Sequence, residues 1–217
     1  FFKVFYILTK KIILVRFFYL YLHSKIELHM NNAKYNKLIV FGGEIIDFST
    51  PKIMAIINAT PDSFYSESRT LNKETLLQKV QKAINSGATI LDVGGYSTRP
   101  GAEDVTEKEE TERVAFALKT IRQEYPNIPI SIDTFRGNVA RIAVKEFNVG
   151  MINDVSGFEL DNDMLNAIIE LQVPYILMHS KGDPRTMQNL TEYDDFLSDI
   201  LQYFAKSYFF ALFHPQV

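Results

Sequence analysis

Residues 89–133 read TILDVGGYSTRPGAEDVTEKEETERVAFALKTIRQEYPNIPISID, and the parsing of this stretch decides the fold. It opens on a short apolar, β-branched run, TILDVGG at 89–95, that gives way to polar residues. Thr106 with Glu109 three positions on is the pattern of a capping box, in which two side chains satisfy backbone N–H groups at a helix start. Val114, Ala117, Leu118 and Ile121 follow at helical spacing and supply one apolar face. A second strand-like run, PISID at 129–133, completes the unit. Both runs are too apolar for a sheet with one wet side. Strands buried on both faces imply a parallel sheet covered by helices.

The same alternation extends in both directions, over residues 53–206. Upstream, IMAIIN at 53–58 precedes a helix pattern in which Asn72 can cap, Leu76, Leu77, Val80, Ala83 and Ile84 recur on one face, and Gly87 marks the stop. Downstream come MINDVSG at 151–157, an apolar helix face of Leu165, Ile168 and Ile169, and PYILMH at 174–179. No internal repeat and no low-complexity linker interrupts these five strand-then-helix units. Both a doubly wound sheet and a (β/α)8 barrel are built from such units. The barrel is favoured because polar residues gather at the C-terminal end of every strand: Asn58, Asp92, Asp133, Asn153 with Asp154, and His179. A barrel brings all of them to the one face where active sites are built. The competing reading is that Asn and Asp cap helices or make turns there, and it bears most on Asp92, which can orient its loop instead of touching a ligand. The expected fold is therefore α/β, of the (β/α)8 TIM-barrel type but incomplete, with about five of the eight units present.

Composition narrows the function. The chain has 217 residues, 47% hydrophobic and 23% charged, the balance of an ordinary soluble globular protein. A formal net charge of -3 gives no basic field for non-specific nucleic-acid binding. With no cysteine there are no disulfides or thiolate metal sites, and any metal falls to oxygen and imidazole ligands, of which oxygen favours magnesium or calcium. A cysteine-free chain is compatible with the cytoplasm, the expected location.

The ends differ from the middle. Residues 1–22, FFKVFYILTKKIILVRFFYLYL, are apolar and aromatic but broken by Lys3, Lys10, Lys11 and Arg16, which argues against a transmembrane helix. Bulky Tyr and Leu stand where a secretory signal needs small residues. Upstream sequence with a start at Met30, an interfacial membrane helix and a targeting segment all stay open, and none of them gives a firm membrane partner. Residues 1–29 are expected to form an extension outside the barrel core, having no helical apolar face. At the other end SYFFALFHPQV, residues 207–217, reads like a chain cut or diverted within an element.

The stretches IMAIINATPDSF, ILDVGGYSTRPGA, ISIDTF, and MINDVSG followed by YILMHSKGDPRTMQ resemble, in order and spacing, the motifs of the dihydropteroate synthase family. The resemblance covers approximately residues 40–205 and would make residues 30–217 a partial pterin-binding barrel domain. Pterin-binding methyltransferases share the barrel and part of the pterin site, and the STRPGA loop separates the two families. The resemblance implies condensation of 6-hydroxymethyl-7,8-dihydropterin pyrophosphate with 4-aminobenzoate to 7,8-dihydropteroate and pyrophosphate, in folate biosynthesis. It implies Mg2+ held by Asn58, with Arg99 and Thr98 on the pyrophosphate. By the resemblance Asp133 and Asn153 match the family's pterin-binding residues, Met178 would lie against the ring, and Asp92 would stand among them. Asp133, Arg99 and Thr98 are the candidate catalytic residues. Phe64 and Pro100 would flank 4-aminobenzoate, whose family mimics are the sulfonamides, and Thr60, Asp62 and Ser63 would order the first loop.

Two departures qualify the match. The family continues TPDSF with an Asp-Gly-Gly stretch where this chain has YSESRT, which stiffens or reroutes that loop. The family's Asp-Pro-Gly-Phe-Gly, Ser-Arg-Lys and Arg-Val-His motifs, with a further pterin Asp, a Lys beside the ring and an Arg–His anion site, do not occur. The 217 residues alone are therefore expected to be inactive: either a piece of a transferase active when complete, or a non-catalytic remnant with at most weak pterin binding. Dimerisation in the family uses C-terminal helices and does not carry over to these residues.

Overall fold

In a parallel sheet with helices on one side, the two-residue period of a strand sends alternate side chains to two different solvents. The computed structural model describes residues 5–8, 38–59, 69–96, 104–182, 186 and 189–212, and within them this division organises everything else. The strands are β1 (Phe5–Leu8), β2 (Leu38–Phe41), β3 (Glu44–Asp47), β4 (Met54–Asn58), β5 (Ile90–Gly94), β6 (Ile130–Asp133), β7 (Met151–Asp154) and β8 (Tyr175–Met178). The helices are α1 (Arg69–Asn85), α2 (Glu107–Glu124), α3 (Gly137–Phe147), α4 (Met164–Leu171) and α5 (Phe196–Leu212). One sheet runs in the order β1-β8-β7-β6-β5-β4, and β4 to β8 are mutually parallel. These five strands lie side by side in chain order. A doubly wound sheet reverses its order at a switch point, and none occurs among the described strands, so the barrel reading holds.

The outward face carries Ile57, Leu91, Val93, Ile130, Ile132, Ile152, Tyr175 and Leu177, packed under Leu76 and Val80 of α1, Val114, Leu118 and Ile121 of α2, and Ala140 of α3. On the inward face Ile90, Met151 and Ile176 meet Phe41 in a smaller apolar cluster. Phe41 belongs to the antiparallel β2–β3 hairpin, whose Gly42 and Gly43 have φ of 56° and 89°. A two-residue turn with both central residues at positive φ matches the twist of the strands it joins. Gly150 lets the hairpin approach, since a Cβ there would lie 2.4 Å from Gly42 N and 2.4 Å from Phe41 Cδ1.

Local signals act as read, with one difference. Thr106 Oγ1 accepts from Glu109 N at 3.3 Å while Thr106 N donates to Glu109 Oε2 at 3.1 Å, completing the capping box. Gly87, at φ 95°, ends α1: Ala88 N donates to Ala83 O and Gly87 N to Ile84 O, the paired bonds of a Schellman stop. Asn72, read as the cap of α1, lies inside its first turn instead, because Arg69, Thr70 and Leu71 include no helix breaker and the helix extends over them. Within the N-terminal segment, expected outside the barrel core, Phe5–Leu8 pair antiparallel with the edge strand β8, Phe5 opposite Met178 and Leu8 opposite Tyr175. The β8 edge offers a row of backbone donors and acceptors, and an extended run elsewhere in the chain satisfies it. Among the described residues, no helix is long and apolar enough to cross a membrane.

At the N-terminal end of the strands one guanidinium ties two loops. Arg122 donates to Phe147 O (2.9 Å), Ile128 O (2.6 Å), Pro126 O (3.2 Å) and Asn148 O (2.8 Å), and burial lowers its pKa from the ordinary value. It closes the α3 end, where Asn148 has φ 51°, onto the turn before β6. Arg122→Ala is expected to lower the free energy of unfolding by about 2–4 kcal/mol, several charge-assisted bonds to carbonyls being lost together. Arg122→Lys should recover only part, because a point charge cannot span four acceptors in a planar fork. Urea unfolding measures both, and a loss under about 1 kcal/mol for the alanine variant would refute this role.

Candidate active site

Strand register assembles the site. Asn58 pairs with Gly94, Gly94 with Asp133, and Asp133 with Asn153, so four consecutive strands contribute one row across the C-terminal end of the sheet. One layer below, Asp92 stands opposite Ser131, and both are fully buried. Asp133 and Asn58 are half-buried, as is Met178 at the end of β8. Gly94 makes room within the row: a Cβ there would lie 3.3 Å from Asp133 Cβ.

Asn153 Nδ2 donates to Asp92 Oδ2 at 2.8 Å. A carboxylate accepts and cannot donate, so the contact fixes which end of the amide faces Asp92. Asn153 is 5% exposed and Asp92 1%, and the pair relieves the cost of burying both. Asp92, expected among the pterin residues or as the orienter of its own loop, is bonded instead to Asn153, 61 positions away.

Asp154 departs from the expectation of convergence. Neighbouring strand residues face opposite sides, and Asp154 points to the helices, where it is wholly buried. Its carboxylate accepts from Ser156 N (2.7 Å), Ser156 Oγ (2.8 Å), Phe158 N (3.1 Å) and the Tyr175 hydroxyl (2.7 Å). Burial raises its pKa despite these bonds and, together with the nearby Asp154, raises that of Tyr175. Asp154 shapes the loop after Asn153, where Gly157 and Phe158 take φ of 59° and 75°. His179 is half-buried at the β8 end with its ring edge-on to Tyr203 at 4.8 Å, and burial lowers its pKa. Tyr203 of α5 donates to Met178 O at 3.0 Å, which fastens that helix over the end of β8.

Thr98, Arg99, Pro100 and Phe64 lie outside the described residues, as do Thr60, Asp62 and Ser63. Among the described residues no group of three or more His, Cys, Asp or Glu side chains could hold a metal ion. Asn58 would therefore offer a single neutral oxygen. That suits a magnesium ion that keeps its waters and takes its other ligands from a bound phosphate.

Residues 54–209, from the first residue of β4 into α5, match the family of pterin binding enzymes. The chain belongs to that family. It is 43% identical over 153 residues to dihydropteroate synthase of Synechocystis sp., covering 70% of this chain and 52% of the relative. With dihydropteroate synthase of Haemophilus influenzae it shares 39% identity over 163 residues, 74% of this chain and 58% of that one. Among solved structures, the Yersinia pestis dihydropteroate synthase in complex with a sulfonamide drug superposes with a TM-score of 0.70 at 33% identity, covering 81% of this chain and 62% of that chain. The Xanthomonas albilineans enzyme with 4-aminobenzoic acid gives 0.69 at 32%, over 81% and 61%. The chain spans between 52% and 58% of the length of these two curated relatives.

The sequence reading missed Glu110, Thr134 and Arg136. Glu110 carried a readable signal, lying one helical turn before Val114 on the buried stripe of α2 although it sits in the acidic run EKEETE. Asp154 had one too, in its adjacency to an inward-facing residue.

A pH dependence of stability follows for this fold. Because the folded-state pKa of Asp154 is raised, the folded chain holds that proton more tightly than the unfolded chain. The resulting stability is fully present below the ordinary aspartate value of 3.8 and is lost as pH rises through the folded-state value. Wild-type unfolding free energy should therefore decline relative to Asp154→Asn as pH is raised from 4 towards neutrality. Denaturant titrations at several pH values test this, and a difference that grows with pH would show that the four donors outweigh burial.

Proposed function

We propose that this chain carries the pterin-binding side of a dihydropteroate synthase site. Within a complete barrel it would condense 6-hydroxymethyl-7,8-dihydropterin pyrophosphate with 4-aminobenzoate, giving 7,8-dihydropteroate and pyrophosphate. The observation that carries this is the inward row of Asn58, Gly94, Asp133 and Asn153, with Asp92 holding the Asn153 amide. A pterin presents an edge of ring N–H and amino donors beside acceptors. Asp133 can accept from the donors, and Asn153, its NH2 turned to Asp92, keeps its oxygen as a second acceptor. Met178 supplies an adaptable apolar wall.

Arg99 and Thr98 suit the pyrophosphate, since a guanidinium forms paired, permanently charged hydrogen bonds. Phe64 and Pro100 would pack on 4-aminobenzoate, and sulfonamides would compete there. Mg2+ on Asn58, when bound, would neutralise charge on the departing pyrophosphate. The amine is neutral near pH 7, so the protein's task towards it is orientation. The complete enzyme would be a cytoplasmic homodimer, a location compatible with the cysteine-free chain.

The partial span of its relatives favours a second reading for the 217 residues taken alone, namely pterin binding without turnover. One experiment addresses both. Pyrophosphate release is measured with both substrates and Mg2+, on this chain and on a version extended by the C-terminal part of a relative, each with its Asp133→Ala counterpart. The chain alone should match its Asp133→Ala control. The extended protein should turn over, and Asp133→Ala should cut its kcat/KM about 100- to 1000-fold, the usual cost of one preorganised group. A folded extended protein without turnover would sink the transferase reading, and turnover by the chain alone would sink the second.

A further inference from the structure

We infer that Glu110 and Arg136 form a positioning pair that holds Asp133 in place, a role that rests on the pterin reading only for its consequence in binding. Glu110 has no exposed side-chain surface, and Arg136 is 16% exposed. Arg136 Nη1 meets Glu110 Oε2 at 2.5 Å, and Thr134 Oγ1 donates to Glu110 Oε1 at 2.6 Å. Thr134 Oγ1 in turn accepts from Arg136 N at 3.1 Å. Arg136 Nη2 reaches the backbone oxygen of Val105 at 2.7 Å. Both carboxylate oxygens and both terminal guanidinium nitrogens of the pair are thereby engaged.

The elements tied together surround the site. Thr134 follows Asp133 directly, and its N–H donates to Asn153 O at 3.1 Å. Val105 precedes α2, and the Tyr96 ring beyond β5 lies 5.6 Å from the Arg136 guanidinium carbon and 5.2 Å, edge-on, from Phe135. Tyr96 also donates to Asp104 Oδ1 at 3.1 Å. Gly95 admits α2 to this junction, because a Cβ there would fall 2.9 Å from Glu110 O. Stability alone is a poor account of the pair, since exchanging a buried ion pair for apolar residues of similar volume is often neutral or stabilising. Direction is what such exchange removes: a methionine pair fills the space but leaves Thr134 Oγ1 without its acceptor, and with it the residue next to Asp133.

The test uses the whole chain and the double variant Glu110→Met/Arg136→Met, with Arg136→Lys as a milder change that keeps the charge near Glu110 and gives up the fork to Val105. Two readouts are taken: amide hydrogen exchange at Thr134 against Ile132, and fluorescence titration with 6-hydroxymethylpterin. The double variant should unfold at a midpoint no lower than wild type, exchange the Thr134 amide at least tenfold faster with Ile132 unchanged, and bind the pterin at least tenfold more weakly. Arg136→Lys should weaken binding several-fold. Wild-type exchange at Thr134 in the folded double variant, or in Arg136→Lys should the double variant not fold, would overturn the positioning role. Failure of the wild-type chain to bind the pterin would count against the pterin reading, and the exchange comparison would still decide the pair.

Discussion

The burial of one face of five parallel strands under helices is the constraint on which this structure depends. Leu91, Val93, Ile130, Ile132 and Ile152 on that face are all but inaccessible to water. Fully burying such a side chain is worth about 1.5–3 kcal/mol, so together they fix strand register far more firmly than any polar contact could. Because the period is two, fixing the outward set also fixes the inward one: a slip of one residue would expose Leu91 and Val93 and bury Asp92 under α2. The row of Asn58, Gly94, Asp133 and Asn153 is thus a by-product of packing on the opposite side of the sheet.

Around that row three buried acids do related work from different positions. Asp92 takes the Asn153 amide inside the sheet, Glu110 takes Thr134 and Arg136 where β6 meets α2, and Asp154 takes Tyr175 and the loop after β7. Each is removed from water, where an unpartnered carboxylate is prohibitively costly, and each is offset by donors from an element that carries or adjoins a site residue. Burial makes these acids directional. A surface aspartate would be satisfied by water from any side, whereas a buried one accepts only from the groups packed against it.

Much of the architecture could be read from the chain because its signals are local. Apolar runs ending in Asn or Asp, the Thr106–Glu109 box and the Gly87 stop each depend on residues within a turn or two, so their meaning survives without knowledge of the fold. The placement of Asn58, Asp133 and Asn153 at one end of the sheet followed from strand direction alone. Reading failed where a position has two local options and distant packing chooses between them. Asn72 could start a helix or lie within one, and Asp154 could share a face with Asn153 only if the period were ignored. The pairing of Phe5–Leu8 with β8 answers to an open sheet edge roughly 170 positions away, a separation at which loop closure itself carries an entropic cost.

The sequence by itself determined the alternation of strands and helices, the parallel sheet, the family to which the chain belongs and the residue types at the strand ends, since these rest on periodicity and short-range chemistry. Only the tertiary structure decided that Asp92 serves Asn153 from 61 positions away, that Glu110 is an anchor 26 positions from Arg136 and not one more surface acid, and that Arg122 closes the opposite end. Such partners have no local signature. The free energy that pairs them comes from the loss of water around both, which exists only once the helices and strands have packed.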